Sequence, residues 1–148
     1  MKKSINKIER VIVDSFRDNI NQKKVIENLE SQLLIERRAM LLDIIQIIDA
    51  FEKAEQLIIE REWDKTEQSE KSIKRLLTAK TKTLSILEKY GVSKILFNNN
   101  MCNDEYCKTI GDEPDSTKPN GYILSIEKTG YTYENKPLRV AEVLIVKN

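Results

Sequence analysis

Residues 5–47 read INKIERVIVDSFRDNINQKKVIENLESQLLIERRAMLLDIIQI, and six of the seven positions counted by sevens from Ile5 are apolar. The positions of this heptad row are Ile5, Ile12, Asn19, Ile26, Leu33, Met40 and Ile47. Because an α-helix makes one turn in about 3.6 residues, every seventh residue returns to nearly the same face. The row therefore predicts a long helix whose apolar stripe pairs with a second helix.

The length of this helix makes a partner necessary. No proline or glycine interrupts residues 4–62, so one continuous helix is predicted over this range. The row three positions further on is weaker, because Ser15, Gln22 and Glu36 fall on it. A long amphipathic helix is not stable alone in water. We therefore expect a parallel paired-helix homodimer that is loosely coiled.

Asn19 is the one polar residue of the heptad row, and it leaves two interpretations open. If it is buried in the stripe, it would pair with the asparagine of the other protomer and fix the register of the two helices. If it is exposed, it would mark a place where the two helices separate.

The apolar stripe widens from residue 40 onward, which is typical of a helix that packs against more than one neighbour. A second helix is predicted after Trp63, because residues 64–67 have capping-box spacing and Gly91 can form a left-handed end. Two such helices from each protomer would close a dimeric four-helix bundle. The dimerisation residues predicted for this region are Met40, Ile44, Ile47, Ile48, Phe51, Leu84 and Leu87.

The remainder of the chain has the pattern of a small all-β domain. Residues 122–128 and 140–146 are short β-branched runs, and a further short strand is predicted near 108–110. Tight turns are predicted at 129–130 and 134–135. The fold class is therefore α+β. The predicted domains are a coiled-coil-like helix (1–39), a helical dimerisation region (40–91) and a C-terminal β-domain (92–148).

Composition excludes several classes of function. The 25 basic and 24 acidic residues nearly cancel, so we expect no nucleic-acid partner. The chain has no histidine, the commonest general base and metal ligand, and we predict no catalytic residue, cofactor or metal. No run of apolar residues is long enough for a membrane span or a secretory signal, so we expect a cytoplasmic protein that does not enter the membrane.

The two cysteines, Cys102 and Cys107, are five positions apart. A zinc site would need two further ligands, which the surrounding sequence does not supply well. A disulfide is possible at this separation but unexpected in a reducing compartment. We expect two ordinary thiols.

Four segments carry a resemblance to the GrpE family of nucleotide-exchange factors. Residues 45–54 (IQIIDAFEKA) are similar to the family's segment ending in Asp-x-Leu-[Asp/Glu]-Arg-Ala, and residues 84–95 (LSILEKYGVSKI) to its helix end before Gly-Val-x-x-Ile. Residues 118–121 (KPNG) match its Pro-Asp-Gly turn. Residues 130–143 (GYTYENKPLRVAEV) match the most specific motif, Gly-Tyr-x-x-x-x-[Arg/Lys]-x-[Ile/Leu]-Arg-x-Ala-x-Val.

The resemblance implies a co-chaperone rather than an enzyme. GrpE proteins bind the nucleotide-binding domain of DnaK-type heat-shock chaperones as dimers and accelerate ADP release by favouring the open cleft. The alternative is an adaptor that keeps this scaffold without exchanging nucleotide.

The resemblance also implies a set of contact residues. The predicted partner-binding residues are Lys53, Arg75, Lys136, Pro137, Leu138, Arg139 and Ile145. The basic residue at the position of Lys136 contacts the chaperone in the family. Three of these residues have a second interpretation. Arg139 would pair with Glu142 or another internal carboxylate. Ile145 would belong to the core, and Lys53 would be an ordinary solvated lysine.

Four positions depart from the family pattern. Arg75 stands where a glycine of the second helix is usual, Asp104 where proline is usual and Cys107 where histidine is usual. Glu142 replaces an apolar residue. These departures bear on which chaperone is bound and how tightly, rather than on the fold.

Overall fold

The computed structural model describes residues 2–63 and 65–148, with side chains from Asn6 onward. The side chain of the predicted dimerisation residue Ile5, and Asp64 of the predicted capping box, lie outside the described residues. The chain divides into two units, with the boundary between Met40 and Leu41. The three-domain division predicted from the sequence stays a prediction.

Helix α1 spans Lys2–Glu60, and its part up to Met40 makes up the first unit. The apolar side chains of the heptad row from Ile12 to Met40 are exposed there, with 48% of Ile12 and 56% of Leu33 accessible to solvent. Exposed apolar area of this kind along one helix is a surface that another helix can cover. The predicted long helix is confirmed, and its pairing stays a prediction.

The second unit contains the end of α1, helix α2 and six strands. Helix α2 spans Glu67–Lys89, and the strands are β1 (Val92–Lys94), β2 (Cys107–Glu113), β3 (Ile123–Lys128), β4 (Tyr131–Tyr133), β5 (Lys136–Arg139) and β6 (Ala141–Val146). A short 3-10 helix covers Asn98–Asn100. The α+β class is confirmed, with helices first and a small β region after them.

The capping box of helix α2 lies two residues later than predicted, at residues 66–69 rather than 64–67. Thr66 is the N-cap, and its hydroxyl oxygen accepts from the Ser69 amide at 3.2 Å, while the Thr66 amide donates to the Ser69 hydroxyl. The box predicted over residues 64–67 is therefore wrong, because Glu67 is the first helical residue and not the third. The predicted end is confirmed, since Gly91 adopts φ +81° directly after the C-cap residue Tyr90.

The strands form two three-stranded sheets. The first has the order β1-β4-β5 and is antiparallel throughout, whereas the second has the order β2-β6-β3 with β2 parallel to β6. Consecutive strands β3 and β4 therefore belong to different sheets. The tight turn predicted at 129–130 is wrong for this reason, because these residues cross from one sheet to the other.

The hairpin between β4 and β5 is confirmed. Glu134 and Asn135 have φ of +50° and +63°, and two successive positive values give a turn whose twist matches the flanking strands. Asparagine tolerates this conformation better than most residues. Lys136 follows at once as the first residue of β5.

The main core joins the end of α1 to the first sheet. Leu41, Ile45 and Ile48 follow the i, i+4, i+7 spacing of one helix face, and all three are buried. Their buried neighbours are Leu87, Val92, Tyr131, Tyr133 and Leu138. This face of α1 is thus covered by the same chain, which fixes the first sheet against the helix.

Candidate partner-binding site

The β4–β5 hairpin presents the residue for which the resemblance gives the clearest role. Lys136 is exposed, and Pro137 beside it is half-buried and in contact with its surroundings. Leu138 is only 7% exposed and belongs to the main core. The prediction that Leu138 touches a partner is therefore corrected, because its side chain points into the protein and anchors the hairpin.

Arg139 joins the hairpin to helix α1. Its Nη1 and Nη2 donate to the two carboxylate oxygens of Asp49, each at 2.6 Å. Its Nε and Nη2 also donate to the main-chain oxygen of Thr129, at 3.1 and 2.7 Å. The guanidinium lies over the ring of Tyr131, 5.6 Å from the centroid. Of the two interpretations of Arg139, the structure supports the internal pair, and the carboxylate is that of Asp49 rather than Glu142.

A second hydrogen bond reinforces this joint. The buried hydroxyl of Thr129 donates to the Glu52 carboxylate at 2.9 Å, one turn along α1 from Asp49. We call Arg139, Asp49, Thr129 and Glu52 the Arg139 network. It is mostly shielded from solvent, with 15% of the Arg139 side chain and 25% of the Asp49 side chain exposed. Charged hydrogen bonds in such a setting are stronger than at an open surface.

Tyr131 lies beneath the Arg139 network. Burial, and then the negative charges of Glu52 and Asp49, raise the pKa of its hydroxyl to about 12. The hydroxyl has no hydrogen-bond partner within residues 2–63 and 65–148. Tyr131 is therefore neutral at physiological pH, and its role is packing, with a ring face that supports the guanidinium.

A mixed-charge cleft lies beside the network, between helix α1 and strand β3. It has a volume of about 330 Å³ and is lined by Asp49, Glu52, Lys53, Gln56, Ile126, Glu127 and Lys128. Lys53, a predicted contact residue, is exposed on its rim. Both cationic and anionic groups face this cleft, which suits a polar protein surface better than a single charged ligand.

The other predicted contact residues lie apart from the hairpin. Arg75 is exposed in the middle of α2, on a different element from Lys53 and Lys136. Ile145 is half-buried and packs against the core of the second sheet, so most of its side chain serves that core. Lys53, Arg75 and Lys136 are the exposed members of the predicted set.

The predicted dimerisation residues separate into three groups. Exposed residues are Ile12, Asn19, Ile26, Leu33, Met40 and Ile47; half-buried residues are Ile44, Phe51 and Leu84; buried residues are Ile48 and Leu87. The prediction for Ile48 and Leu87 is corrected, because their own chain already covers both side chains. Ile47, directly beside Ile48, remains 55% exposed.

An apolar groove between α1 and α2 adds to the surface available for a second protomer. It has a volume of about 390 Å³, and its lining residues are Ala54, Leu57, Ile58, Trp63, Ser69, Ser72, Ile73 and Leu76. Trp63 is 54% exposed at its end, with the Arg61 guanidinium 5.2 Å from the ring centroid. The two helices are held together beside it by an ion pair between Lys80 and Glu55 at 2.6 Å.

Cys102 and Cys107 form a disulfide, so the prediction of two ordinary thiols is wrong. The intervening residues make a turn in which the amides of Tyr106 and Cys107 both donate to the Asn103 carbonyl at 2.8 Å. This turn brings the two sulfur atoms together. Both cysteines also pack in the core of the second sheet with Ile123, Ala141 and Val143.

We predict that reduction of this disulfide lowers the free energy of unfolding by about 2 kcal/mol, the value for a closed loop of roughly six residues. The measurement is the urea midpoint with and without a thiol reductant. The control is the double variant Cys102→Ser, Cys107→Ser, whose midpoint should not respond to the reductant. Equal midpoints for the untreated and reduced protein would contradict the prediction.

Glu142 shows why a charge is tolerated in the central strand β6. Register places it opposite Lys108 of β2 on one side and Lys128 of β3 on the other. Opposite charges on neighbouring strands stabilise a sheet modestly. The departure at Glu142 is therefore balanced locally, and the departure at Asp104 lies in an exposed turn.

Sequence reasoning missed three members of the Arg139 network, namely Asp49, Glu52 and Thr129. A signal for Asp49 was present, since it directly follows Ile48 and comes four residues after Ile45 in the wide apolar stripe. A carboxylate at the edge of a buried face needs a partner. Identification of that partner as Arg139, 90 positions away, required the fold.

No helix within residues 2–63 and 65–148 combines the length and the apolar character needed to cross a bilayer. Over the same residues, no group of three or more acidic or cysteine side chains is placed to hold a metal ion.

An exposed apolar helix stripe and a rigidly mounted hairpin are features of a protein that works through contacts with other chains. A comparison with curated proteins found no match to the chain. A family model does match: the model for GrpE covers residues 2–147, nearly the whole sequence. The chain belongs to the GrpE family and is a co-chaperone of the GrpE type.

Proposed function

We propose that this protein binds the nucleotide-binding domain of a DnaK-type chaperone as a homodimer and accelerates ADP release from it. The family match over residues 2–147 carries the proposal. The exposed Lys136, on a hairpin that is anchored by Leu138 and Arg139, supports it from the structure.

The mechanism is a shift between two states of the chaperone. A chaperone holds ADP in a closed cleft and releases it slowly, because opening the cleft is unfavourable. A partner that binds the open form more tightly than the closed form raises the open population. By reciprocity, nucleotide must weaken the binding of that partner by the same factor. No covalent step is needed.

The contact surface follows from the exposed residues. Lys136 and the edge of Pro137 offer a positive charge beside a stiff apolar ring, which fits an acidic and partly apolar surface. Lys53 extends this surface onto α1, and Glu127 and Lys128 of β3, which line the neighbouring cleft, supply groups of both charges. Arg75 is a separate candidate on α2.

The dimer is proposed from the exposed apolar residues of α1. The stripe that includes Ile12, Ile26, Leu33 and Ile47 is half or more accessible at nearly every position, and a second copy would cover it. The apolar groove between α1 and α2 would receive helices of the other protomer in a four-helix bundle.

The experiment is the release of labelled ADP from the chaperone of the same source, measured with increasing amounts of this protein. We expect release to speed up and to saturate. No acceleration at saturating protein, with binding retained, would favour the non-exchanging adaptor.

Lys136→Glu is expected to weaken chaperone binding about tenfold, or ~1.4 kcal/mol, because it opposes an acidic partner surface with a negative charge. Thermal unfolding should be unchanged, since Lys136 is exposed. Binding is measured by calorimetric titration.

The matched control is Lys94→Glu, which reverses the charge of another exposed strand lysine, on β1 at the opposite edge of the first sheet. It should leave the affinity within about twofold of the unchanged protein. Equal weakening by both variants would mean that net charge, rather than the hairpin, determines binding.

A further inference from the structure

We propose that the Arg139 network is a positioning element. It holds the β4–β5 hairpin at a fixed place on helix α1, so that the two elements contact the partner as a single rigid surface. This inference rests on the proposed exchange function. It assigns a role in fixing the relative position of the contact residues to Arg139, Asp49, Thr129 and Glu52, although none of these four needs to touch the chaperone.

The network lies next to both proposed contact lysines. Lys136 stands three residues before Arg139 on strand β5. Lys53 follows Glu52 directly on α1 and comes four residues after Asp49. The two proposed contact residues are 83 positions apart in sequence. Each nevertheless lies within about one helical turn or one strand of a residue in the network, so the network links them.

The bonds fix orientation as well as distance. A planar guanidinium bound by two parallel hydrogen bonds cannot rotate about either one. The bonds from Arg139 to the Thr129 carbonyl restrain the guanidinium in a further direction. The bond from the Thr129 hydroxyl to Glu52 separately ties the segment before β4 to α1. The network therefore ties Arg139 and the segment before β4 to the helix, in addition to the core contact of Leu138.

A rigid joint matters because exchange depends on a difference in affinity between two chaperone states. If the hairpin could swing on the helix, both contacts would follow the cleft as it closed. Such a protein would bind the open and closed forms almost equally and would shift nothing, however tightly it bound. Loosening the network should therefore reduce the maximal exchange rate while much of the affinity is kept.

The test variant is Asp49→Asn, which removes the charge and one carboxylate oxygen of the bidentate pair. We expect the maximal rate of ADP release at saturating protein to fall about tenfold, because the variant loses most of its preference for the open chaperone. We expect the dissociation constant for nucleotide-free chaperone to change by less than about threefold, because the contact residues are intact. Asp49→Glu should restore most of the rate.

The matched control is Glu55→Gln, which breaks the ion pair with Lys80 on α2. This pair has the same 2.6 Å separation and is also partly shielded, but it joins two helices and does not reach the β region. It should leave the maximal rate unchanged. If Asp49→Asn folds poorly, Arg139→Lys serves instead, since lysine keeps the charge but cannot make the bidentate pair.

A second readout measures the joint itself. Spin labels at the exposed positions Gln56 on α1 and Glu134 in the hairpin turn report the distance between the two elements. The distance distribution should be narrow in the unchanged protein and in Glu55→Gln, and clearly broader in Asp49→Asn.

The outcomes separate this inference from the proposed function. A full maximal rate for Asp49→Asn, or a rate and affinity that fall in proportion, would overturn the positioning role. If the unchanged protein does not accelerate ADP release, the proposed function fails. In that case an unchanged distance distribution in Asp49→Asn would also overturn the rigid joint, whereas a broadened one would support it.

Discussion

Ile48→Ala is expected to lower the free energy of unfolding by about 3 kcal/mol, because it deletes three carbons from a side chain that is fully buried. Ile48 packs in the core that joins α1 to the first sheet, so the cavity would open between these elements. The measurement is urea unfolding at several protein concentrations. We expect the loss to have the same size at each concentration, since the core belongs to a single chain.

Ile47→Ala is the matched variant, with the same chemical change one position earlier. Ile47 is 55% exposed and lies on the heptad row. Its replacement should leave the core intact and weaken dimerisation, so the loss of unfolding stability should be largest at high protein concentration and should shrink on dilution, as both proteins dissociate. Sedimentation should give the mass of two chains for the unchanged protein at micromolar concentration. The mass of one chain would contradict the dimer, and equal concentration dependence for both variants would contradict the assignment of the two faces.

Gly130→Ala is expected to destabilise the protein by about 2–3 kcal/mol through forced overpacking. A Cβ atom on Gly130 would lie 2.6 Å from the Ala141 amide nitrogen and 2.8 Å from Ile95 Cδ1. The chain crosses from one sheet to the other before β4, at Gly130, and again at the start of β6, at Ala141. These two crossing segments are in contact. The Ala141 amide also donates to the Tyr106 carbonyl at 2.9 Å, so it cannot move away without losing that bond.

Gly111→Ala is the control for Gly130→Ala. Its Cβ would also meet an atom at 2.6 Å, but that atom is Cδ2 of Leu144, the end of a side chain that can rotate. We expect a loss below about 1 kcal/mol at this site. A loss as large as that of Gly130→Ala would contradict the argument that main-chain contact sets the cost. The comparison is made by thermal and urea unfolding.

The elements that the sequence predicted well depend on local patterns. The heptad row needed only the helical period, and the hairpin at Glu134–Asn135 and the helix end at Gly91 needed only the conformations that those residues allow. Strands β3 and β6 were also found, because a run of β-branched residues is a local signal.

The partners of each element could not be predicted in this way. Ile47 and Ile48 are the same residue type in adjacent positions, and only the fold shows that one is covered by its own chain. Strands β2 and β6 pair in parallel across more than 30 positions, which no local pattern encodes. Gly130 was interpreted as a turn residue, although its lack of a side chain serves the contact with Ala141.

The residues of the candidate site divide in the same way, into one that a local motif predicts and others whose role depends on the fold. Lys136 was predicted from its place in a motif, and the structure leaves it exposed beside a well-formed turn. The roles of Leu138 and Arg139 depended on what lies beneath the hairpin, namely the main core and Asp49. The disulfide depended on the Asn103–Tyr106 turn, which brings the two cysteines together.

Calorimetric titration of this protein into a DnaK-type chaperone, first without nucleotide and then with saturating ATP, tests the central claim most directly. If the protein prefers the open cleft, binding should be tight without nucleotide and at least about tenfold weaker with it, because linkage acts in both directions. Equal affinity in the two titrations would contradict the claim, since a partner that does not distinguish the two states cannot release ADP.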